Sequence, residues 1–409
     1  MKTTILSCKH RISIAGIFFV SLLFSGLSAQ GQYLATYIEE AISNNPNIQA
    51  AETKYAISTE RISEVNTLPN TEFAGGYSVG KIDMPMMQLG EISVMQMLPW
   101  FGTISARTDY ATAIADADFV DIEIEKRKIA MTLSQSYYRL YEIAKKQEVL
   151  DANVELLQIY EQMALTSVEV GKASAVSVLR LQMRQNDLIE RKLVLEQDYA
   201  AELITFNKIM NREEVADIQL PDSLPLPAQE VELDFAQLSL HPELTKFEEL
   251  NKAVTQFDAV NKKESAPALG LGMQYMWFYE TPNMLMPMAS LSIPIFNKKY
   301  KSISRQNKLR HEELNQQKQA VGNSLIAQLQ ATVRSRNAAR ISLETQEKNL
   351  IQAQNATDIL FKNYETGTID FKEVLDVQEL QLNIQISRVD AIGEYFKQTS
   401  VIEYYTATR

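Results

Sequence analysis

Residues 129–157, IAMTLSQSYYRLYEIAKKQEVLDANVELL, decide the kind of fold that this chain can form. Their apolar side chains recur at steps of three, four and seven, at Ile129, Leu133, Leu140, Ile143, Leu150, Val154 and Leu157. This spacing predicts the seam of a coiled coil. No proline or glycine interrupts residues 103–165, so the helix would reach roughly 95 Å at 1.5 Å per residue. Because most globular helices are far shorter, we expect an elongated molecule.

Two strand-like segments lie directly before this long helix. Residues 71–79 and 88–98 alternate between apolar and polar side chains and are separated by a turn. The same arrangement returns at 267–279 and 286–296, before a second long helical stretch at about 299–364. Each strand is near the 9–11 residues that a tilted strand needs to cross a bilayer.

The chain repeats itself at an offset of about 196 residues, which indicates two copies of one structural unit. Matching positions are Asn45-Pro46 with His241-Pro242, Pro99 with Pro294, and Gly171 with Gly367. We predict a first repeat at 32–212 and a second at 234–409, each with a helix, a hairpin, a long helix and a returning helix. The proline-rich segment 213–233 between them is predicted to be an extended linker.

The N-terminus has the pattern of a secretory signal peptide, predicted at 1–31. Basic residues precede an apolar run at 12–27, and small residues follow it, with cleavage expected after Ala29 or Gly31. Cys8 precedes the apolar run, so it is not a lipid-anchoring cysteine of the mature chain. No later stretch of 18 apolar residues predicts a transmembrane helix. Any membrane passage is therefore expected to be made by strands.

Composition argues against nucleic-acid binding and against catalysis. The 409 residues carry a formal net charge of −11 without a lysine- or arginine-rich block. After signal removal only His241 and His311 remain as histidines, they are not at a metal-ligand spacing, and no cysteine nucleophile is left. We expect neither an enzyme nor a resident cofactor.

Four strands cannot close into a barrel, and an open sheet in lipid would leave unpaired backbone groups at its edges. Three copies would supply twelve strands, enough for a barrel with a lumen. The alternation predicts a lipid-facing set of Phe73, Tyr77, Ile92, Val94, Leu269, Leu271, Tyr275, Trp277, Leu291 and Ile293. The predicted inward set is Glu72, Ser78, Glu91, Ser93, Gln274, Ser290 and Ser292. A soluble β-sandwich is the alternative interpretation of the same strands.

Methionine is concentrated around the hairpins, where ten of the chain's 15 methionines lie. The alternation directs five of them inward: Met95, Met97, Met276, Met286 and Met288. Thioether sulfur is a soft ligand that suits Cu(I) and Ag(I), so these residues are candidates for transient metal contacts. Methionine also fills apolar space as a flexible hydrophobe, and this interpretation stays open.

The repeated hairpin and long helix, together with the segments QMLPWFG at 96–102, YETG at 364–367 and VLDVQ at 374–378, resemble the TolC-like outer-membrane efflux family. Residues 99–102 are similar to its heavy-metal branch. The resemblance implies a mainly α fold with a β-barrel contribution, built as a homotrimer with a twelve-stranded barrel in outer-membrane lipid and a twelve-helix periplasmic tunnel. It also implies an exit duct that works with a periplasmic adaptor and an inner-membrane pump of the resistance-nodulation-division type.

The resemblance also assigns roles to the ends of the long helices. The periplasmic tip and adaptor contact would comprise Gly171, Lys172, Ser174, Tyr364, Gly367 and Thr368. Glu373 and Asp376 would line the entrance, and threefold symmetry would make them a ring of six carboxylates that attracts cations. Two solvated helix charges are the alternative. Ser177 and Ile369 occupy positions where the family has a charged lock, so closure would rest on packing or on the acidic ring.

Three other functions stay open from the sequence. The same duct could export drugs and other small molecules, or it could be the exit duct of type I protein secretion. A periplasmic coiled-coil adaptor is a non-channel alternative. An adaptor would carry one helical hairpin between compact β-domains, whereas this chain repeats a strand hairpin before each long helix.

Overall fold

The structure is a computed structural model that describes residues 29–80, 87–171, 174–230, 235–295, 297–366 and 368–406. Residues 1–28 of the predicted signal peptide, Lys172 and Gly367 lie outside these ranges. The helices are α1 Ala29–Asn44, α2 Pro46–Val65, α3 Thr103–Glu169, α4 Ala175–Ile209, α5 Pro242–Glu264, α6 Lys299–Glu365 and α7 Phe371–Thr406. A 3₁₀ helix spans Phe235–Leu240, and the strands are β1 Thr71–Tyr77, β2 Gln88–Leu98, β3 Ala268–Phe278 and β4 Met284–Ser292. The fold is therefore mostly helical with one small sheet.

The first helical region is broken into two helices. The pattern of residues 34–65 predicts one helix, and this prediction is wrong, because the helix is interrupted at Asn45. Pro46 has no backbone N–H to continue the preceding helix, while Asn45 Oδ1 accepts a hydrogen bond from Asn47 N at 2.9 Å and caps α2. His241 caps α5 in the same way, since its Nδ1 accepts from Glu243 N at 3.3 Å.

The two long helices are confirmed. Both α3 and α6 contain 67 residues. Six of the seven predicted seam residues of α3 are buried, and Val154 is half-buried. The apolar stripe therefore has packing partners along most of the helix, which offsets the conformational entropy of so long an element.

Helix α3 changes its partners along its length. Near the sheet it packs against α2 and α5, where Lys54 Nζ lies 2.9 Å from Asp121 Oδ2 and Arg107 NH2 lies 2.8 Å from Glu264 Oε1. Farther along, α4 and α7 pack against it and α6 packs against α7. Near the sheet, four helices therefore lie side by side in the order α2, α3, α5, α6. Farther from the sheet the order is α4, α3, α7, α6.

The four strands form one antiparallel sheet in the order β1-β2-β3-β4. The two hairpins meet where β2 pairs with β3, with Val94 opposite Met273. Within the described residues, β1 and β4 each have one neighbour, so each leaves its outer edge unpaired.

The segment between the repeats runs over the helices without helix or strand at 213–230. Leu220, Leu224 and Leu226 pack onto buried residues of the bundle. Glu230 lies 2.8 Å from Arg340 NH1 and accepts a 2.8 Å hydrogen bond from the Tyr395 hydroxyl. The described part of this linker is therefore held against the helices. No helix among the described residues has both the length and the apolarity that a bilayer crossing requires.

Candidate functional site

The strand register sorts the sheet into two faces of different chemistry. Directly paired residues of adjacent strands share a face. One face carries Phe73, Tyr77, Ile92, Val94, Leu269, Leu271, Met273, Tyr275, Trp277 and Leu291. The other carries Glu72, Glu91, Ser93, Met95, Met97, Gln274, Met276, Met286, Met288, Ser290 and Ser292. One side of the sheet is therefore apolar and aromatic, and the other is polar and rich in methionine.

Two of the methionine sulfurs converge on the polar face. The Ser290 hydroxyl lies 3.7 Å from Met95 Sδ and 3.9 Å from Met97 Sδ. A Cβ at Gly270 would lie 2.7 Å from Met97 Sδ and 3.1 Å from Met95 Sδ, so the two thioethers lie side by side over this glycine. Two soft sulfurs next to a hydroxyl are donors of the kind that Cu(I) and Ag(I) accept.

A carboxylate lies farther along the same face. Glu91 Oε2 accepts hydrogen bonds from Gln88 Nε2 at 2.9 Å and from Gln274 Nε2 at 2.5 Å. The bond from Gln274 joins β3 to β2, and the two bonds together fix the direction of the acidic side chain. The polar face therefore combines an oriented carboxylate with the methionines.

The turn between α3 and α4 has the geometry that its glycine requires. Gly171 follows the C-terminal end of α3 and has φ +73°, a backbone conformation that is unfavourable for residues with a Cβ. Ser174 begins α4, with its hydroxyl accepting a 3.2 Å bond from Val176 N. Both residues are exposed, so the turn is available for contact with a partner.

The ends of α3, α6 and α7 meet in one cluster. The Tyr364 hydroxyl donates to Ser167 Oγ at 3.3 Å, and its ring centroid lies 4.9 Å from that of Phe371. Ile369 packs against the same apolar cluster. Thr368 Oγ1 donates to Asn363 O at 2.8 Å and closes the turn after α6. These contacts hold the ends of α3, α6 and α7 together by apolar packing and by hydrogen bonds between uncharged groups.

One member of the acidic pair at the start of α7, Asp376, lies near arginines of another helix. Glu373 and Asp376 are both exposed. Asp376 lines a cavity of about 150 Å³ together with Arg180 and Arg184 of α4. Arg184 NH2 lies 2.9 Å from Glu379 Oε1 and thereby connects α4 to α7. From the sequence these charges looked like parts of solvated helix faces, because pairing between distant helices leaves no local signal.

A buried charge cluster joins α3 to α7 in the middle of the bundle. Glu142 is only 6% exposed and lies 2.7 Å from Lys146 Nζ and 3.1 Å from Lys397 Nζ. Burial alone would raise the pKa of Glu142, but the two lysines outweigh it and hold this pKa below its usual value. A Cβ at Gly393 would come 2.8 Å from Glu142 Oε2, so glycine makes room for the carboxylate.

Comparison with known proteins identifies the class of fold. No family model matches the chain, and no curated protein matches it in sequence. Solved outer-membrane channels, in contrast, match over 92% of its length. At 12–15% identity this likeness shows the fold, which the chain shares with these membrane proteins. The mostly helical fold with a small sheet that the TolC-like resemblance implies is thereby confirmed, while the twelve-stranded barrel, the trimer and the two repeats stay predictions.

Three of these structures give the extent of the match. CusC, which forms a transmembrane channel, is 13% identical, with a TM-score of 0.78 over 92% of its chain. The outer membrane protein VceC of Vibrio cholerae is 15% identical, with a TM-score of 0.76 over 97% of its chain. The outer membrane channel CmeC of Campylobacter jejuni is 12% identical, with a TM-score of 0.75 over 85% of its chain.

Proposed function

We propose that three copies of this chain form an outer-membrane exit duct of a tripartite efflux pump. The duct conducts substrate passively from the periplasmic side to the outside. The observation that carries the proposal is the four-stranded sheet, which has one apolar face and two unpaired edges. In hydrocarbon each unpaired backbone group costs several kcal/mol, whereas pairing β1 of one copy with β4 of the next removes all free edges in a twelve-stranded barrel.

The helices support the same assembly. At the level of α4, the outer members of the four-helix layer are α4 and α6. Both carry large apolar side chains in contact with solvent: Val176, Leu179, Met183, Leu193, Val194 and Ile204 on α4, and Ile341, Ile351 and Ile359 on α6. Packing α4 of one copy against α6 of the next would bury these residues and give a ring of twelve helices.

The partners follow from the orientation of this assembly. The turns at Gly171 and Thr368 lie at the end of the long helices that is far from the sheet, and there they would contact a periplasmic adaptor joined to an inner-membrane pump. Glu373 and Asp376 would form the entrance ring. Arg180 and Arg184 line the same cavity as Asp376, whereas Glu373 does not line it, so we expect the cation preference of the ring to depend chiefly on Glu373.

The mid-strand neighbours Met273 and Gln274 give a matched test of the membrane assignment. Met273 lies on the apolar face and Gln274 on the polar face. A lysine on a lipid-facing site costs about 2–4 kcal/mol at the bilayer midplane. We therefore expect Met273→Lys to abolish insertion and pore formation, while Gln274→Lys, placed beside Glu91, still forms trimers that conduct.

The measurement combines native gel analysis of the oligomer with single-channel conductance in planar bilayers. Equal insertion of both variants would refute the assignment of the faces. A wild-type chain that is monomeric, soluble without detergent and unable to form pores would refute the duct itself and favour the periplasmic adaptor.

For the cargo we propose Cu(I) or Ag(I), supported by the convergence of Met95 and Met97 beside Ser290. A duct requires weak binding, since a tight site would retain its cargo. Deletion of the protein should raise sensitivity to both ions, and Met95→Leu with Met97→Leu should reproduce part of that effect. Met273→Leu is the matched control, because it removes a sulfur from the opposite face.

Unchanged metal tolerance together with lost tolerance to bile salts or dyes would favour small-molecule efflux instead. Loss of an exported protein with both tolerances intact would favour type I secretion.

A further inference from the structure

A group of lysines lies at one rim of the sheet, where all four strands join helices. The strands are antiparallel, so the start of β1, the end of β2, the start of β3 and the end of β4 share this rim. Leu98 lies opposite Leu269 and Ala268 lies opposite Ser292 at its border. The segments that leave the rim are therefore brought close together although they are distant in sequence.

The charged residues of two of these segments are strongly biased in sign. Lys262 and Lys263 end α5, and Lys298, Lys299 and Lys301 begin α6. All five side chains are exposed. Glu264 is paired with Arg107 at 2.8 Å, and Lys262 Nζ lies 2.9 Å from Asp258 Oδ2. The excess of positive charge therefore comes from the other four lysines. A chain with net charge −11 thus presents a local excess of positive charge at this rim.

Aromatic residues lie beside the lysines. Trp100 and Phe101 follow β2 directly, and Phe101 is 79% exposed. Lys263 Nζ lies 3.3 Å from Phe101 O, and Lys299 Nζ lies 5.7 Å from the ring centroid of Tyr300. Aromatic rings followed by long cationic side chains are the composition of a membrane–water interface, where rings lie at headgroup depth and lysines extend toward water.

Two observations make a purely local explanation of the lysines inadequate. Positive charges in the first turn of a helix oppose the helix dipole, so Lys299 and Lys301 do not stabilise α6 by themselves. On the opposite rim, Glu280 is the charged residue among the described positions 78–80, 87 and 279–283. Among the described residues of the two rims, the positive charge therefore lies on the helical rim.

We propose that this collar, composed of Lys262, Lys263, Lys298, Lys299, Lys301, Trp100 and Phe101, binds the phosphate headgroups of anionic glycerophospholipids. The lipids belong to the leaflet on the helical side of the sheet. The inference rests on the proposed function, since it requires the apolar face of the sheet to lie in a bilayer. Charge complementarity selects anionic headgroups, and the exposed rings select a lipid over a soluble phosphate.

The test is a competition for the full mature chain in detergent between phosphatidylglycerol and phosphatidylcholine with identical acyl chains. Retained lipid is measured by native mass spectrometry, and conductance is measured on the same preparation. We expect the wild type to retain phosphatidylglycerol preferentially. The triple change Lys298→Gln, Lys299→Gln and Lys301→Gln should weaken that preference by about fivefold for each lysine.

The matched control removes three other exposed lysines near the far end of the bundle, by Lys348→Gln, Lys362→Gln and Lys372→Gln. It has the same net charge as the first variant and should keep the wild-type preference. A third variant with arginine at 298, 299 and 301 should also keep it. The inference would be overturned if the wild type showed no preference for phosphatidylglycerol, or if the control variant lost the preference to the same extent. Normal conductance in the same preparation would show that the proposed duct is unaffected by that result.

Discussion

Replacement of His241 by asparagine should make the stability of the helical bundle less sensitive to acid. His241 is only 2% exposed and packs against Tyr404 and Tyr405, with ring centroids 5.1 and 6.2 Å away. Its Nδ1 caps α5 by accepting a hydrogen bond from Glu243 N. Protonation would turn that acceptor into a donor facing another donor, and it would place a charge in an apolar cluster.

The sign of the pH effect follows from the pKa of His241. Burial lowers this pKa below the usual histidine value, and the neighbouring carboxylate of Glu243 opposes the shift only in part. The folded chain therefore binds fewer protons than the unfolded chain below about pH 6.5. Stability from this residue is complete above that pH and declines as the pH falls toward the lowered pKa, by at most about 1.4 kcal/mol per pH unit in each copy.

The other repeat supplies the control side chain. Asn45 caps α2 before a proline, as His241 does before Pro242, and asparagine does not titrate. His241→Asn should keep the cap and remove the decline, whereas His241→Ala should be about 1 kcal/mol less stable than His241→Asn at every pH.

Thermal unfolding followed by circular dichroism between pH 8 and 5 measures the stability of wild type and of His241→Asn. The difference in stability between the two proteins cancels the contributions of other titrating groups. Parallel pH profiles of these two proteins would refute the reasoning. A wild type that gains stability relative to His241→Asn as the pH falls would refute the sign.

Two further changes test the contacts that tie the helices together. Glu142→Gln should lower the free energy of unfolding by about 2 kcal/mol, because Lys146 and Lys397 lose a charged acceptor, although each keeps a second carboxylate partner. Chemical denaturation measures this change, and an unchanged midpoint would contradict the role assigned to Glu142. Tyr364→Phe should cost about 1 kcal/mol by removing its bond to Ser167. Ser167→Ala should cost the same, and the double variant should cost no more than either single change, so additive losses would show that the two hydroxyls act independently.

The long helices were predictable because their signal is local and repeated many times. Each turn of α3 from Ile129 to Leu157 carries the same apolar spacing, so the sequence alone predicts which face of the helix is buried. The strands were predictable for the same reason, although their ends differ. Residues 293–295, predicted in strand, lie outside β4, which instead begins two residues earlier than predicted, at Met284. Phe296, also predicted in strand, lies outside the described residues.

The break at Asn45 shows where the pattern was insufficient. The apolar periodicity continues through residues 34–65, but Pro46 cannot donate the hydrogen bond that a continuous helix requires, and the Asn45 side chain satisfies the freed donor at the start of α2. The proline and the asparagine were visible in the sequence, and their combined effect outweighs the periodicity.

For the candidate site, the sequence by itself determined which residues alternate to the same side of a strand, since the two-residue period is a property of the backbone. It thereby placed Met95 and Met97 on one side of β2. Only the tertiary structure decided that β2 pairs with β3, that the two sulfurs converge over Gly270, and that Arg184 reaches Glu379. Such contacts join residues far apart in the chain, and they depend on how whole helices and strands pack, which no local period encodes.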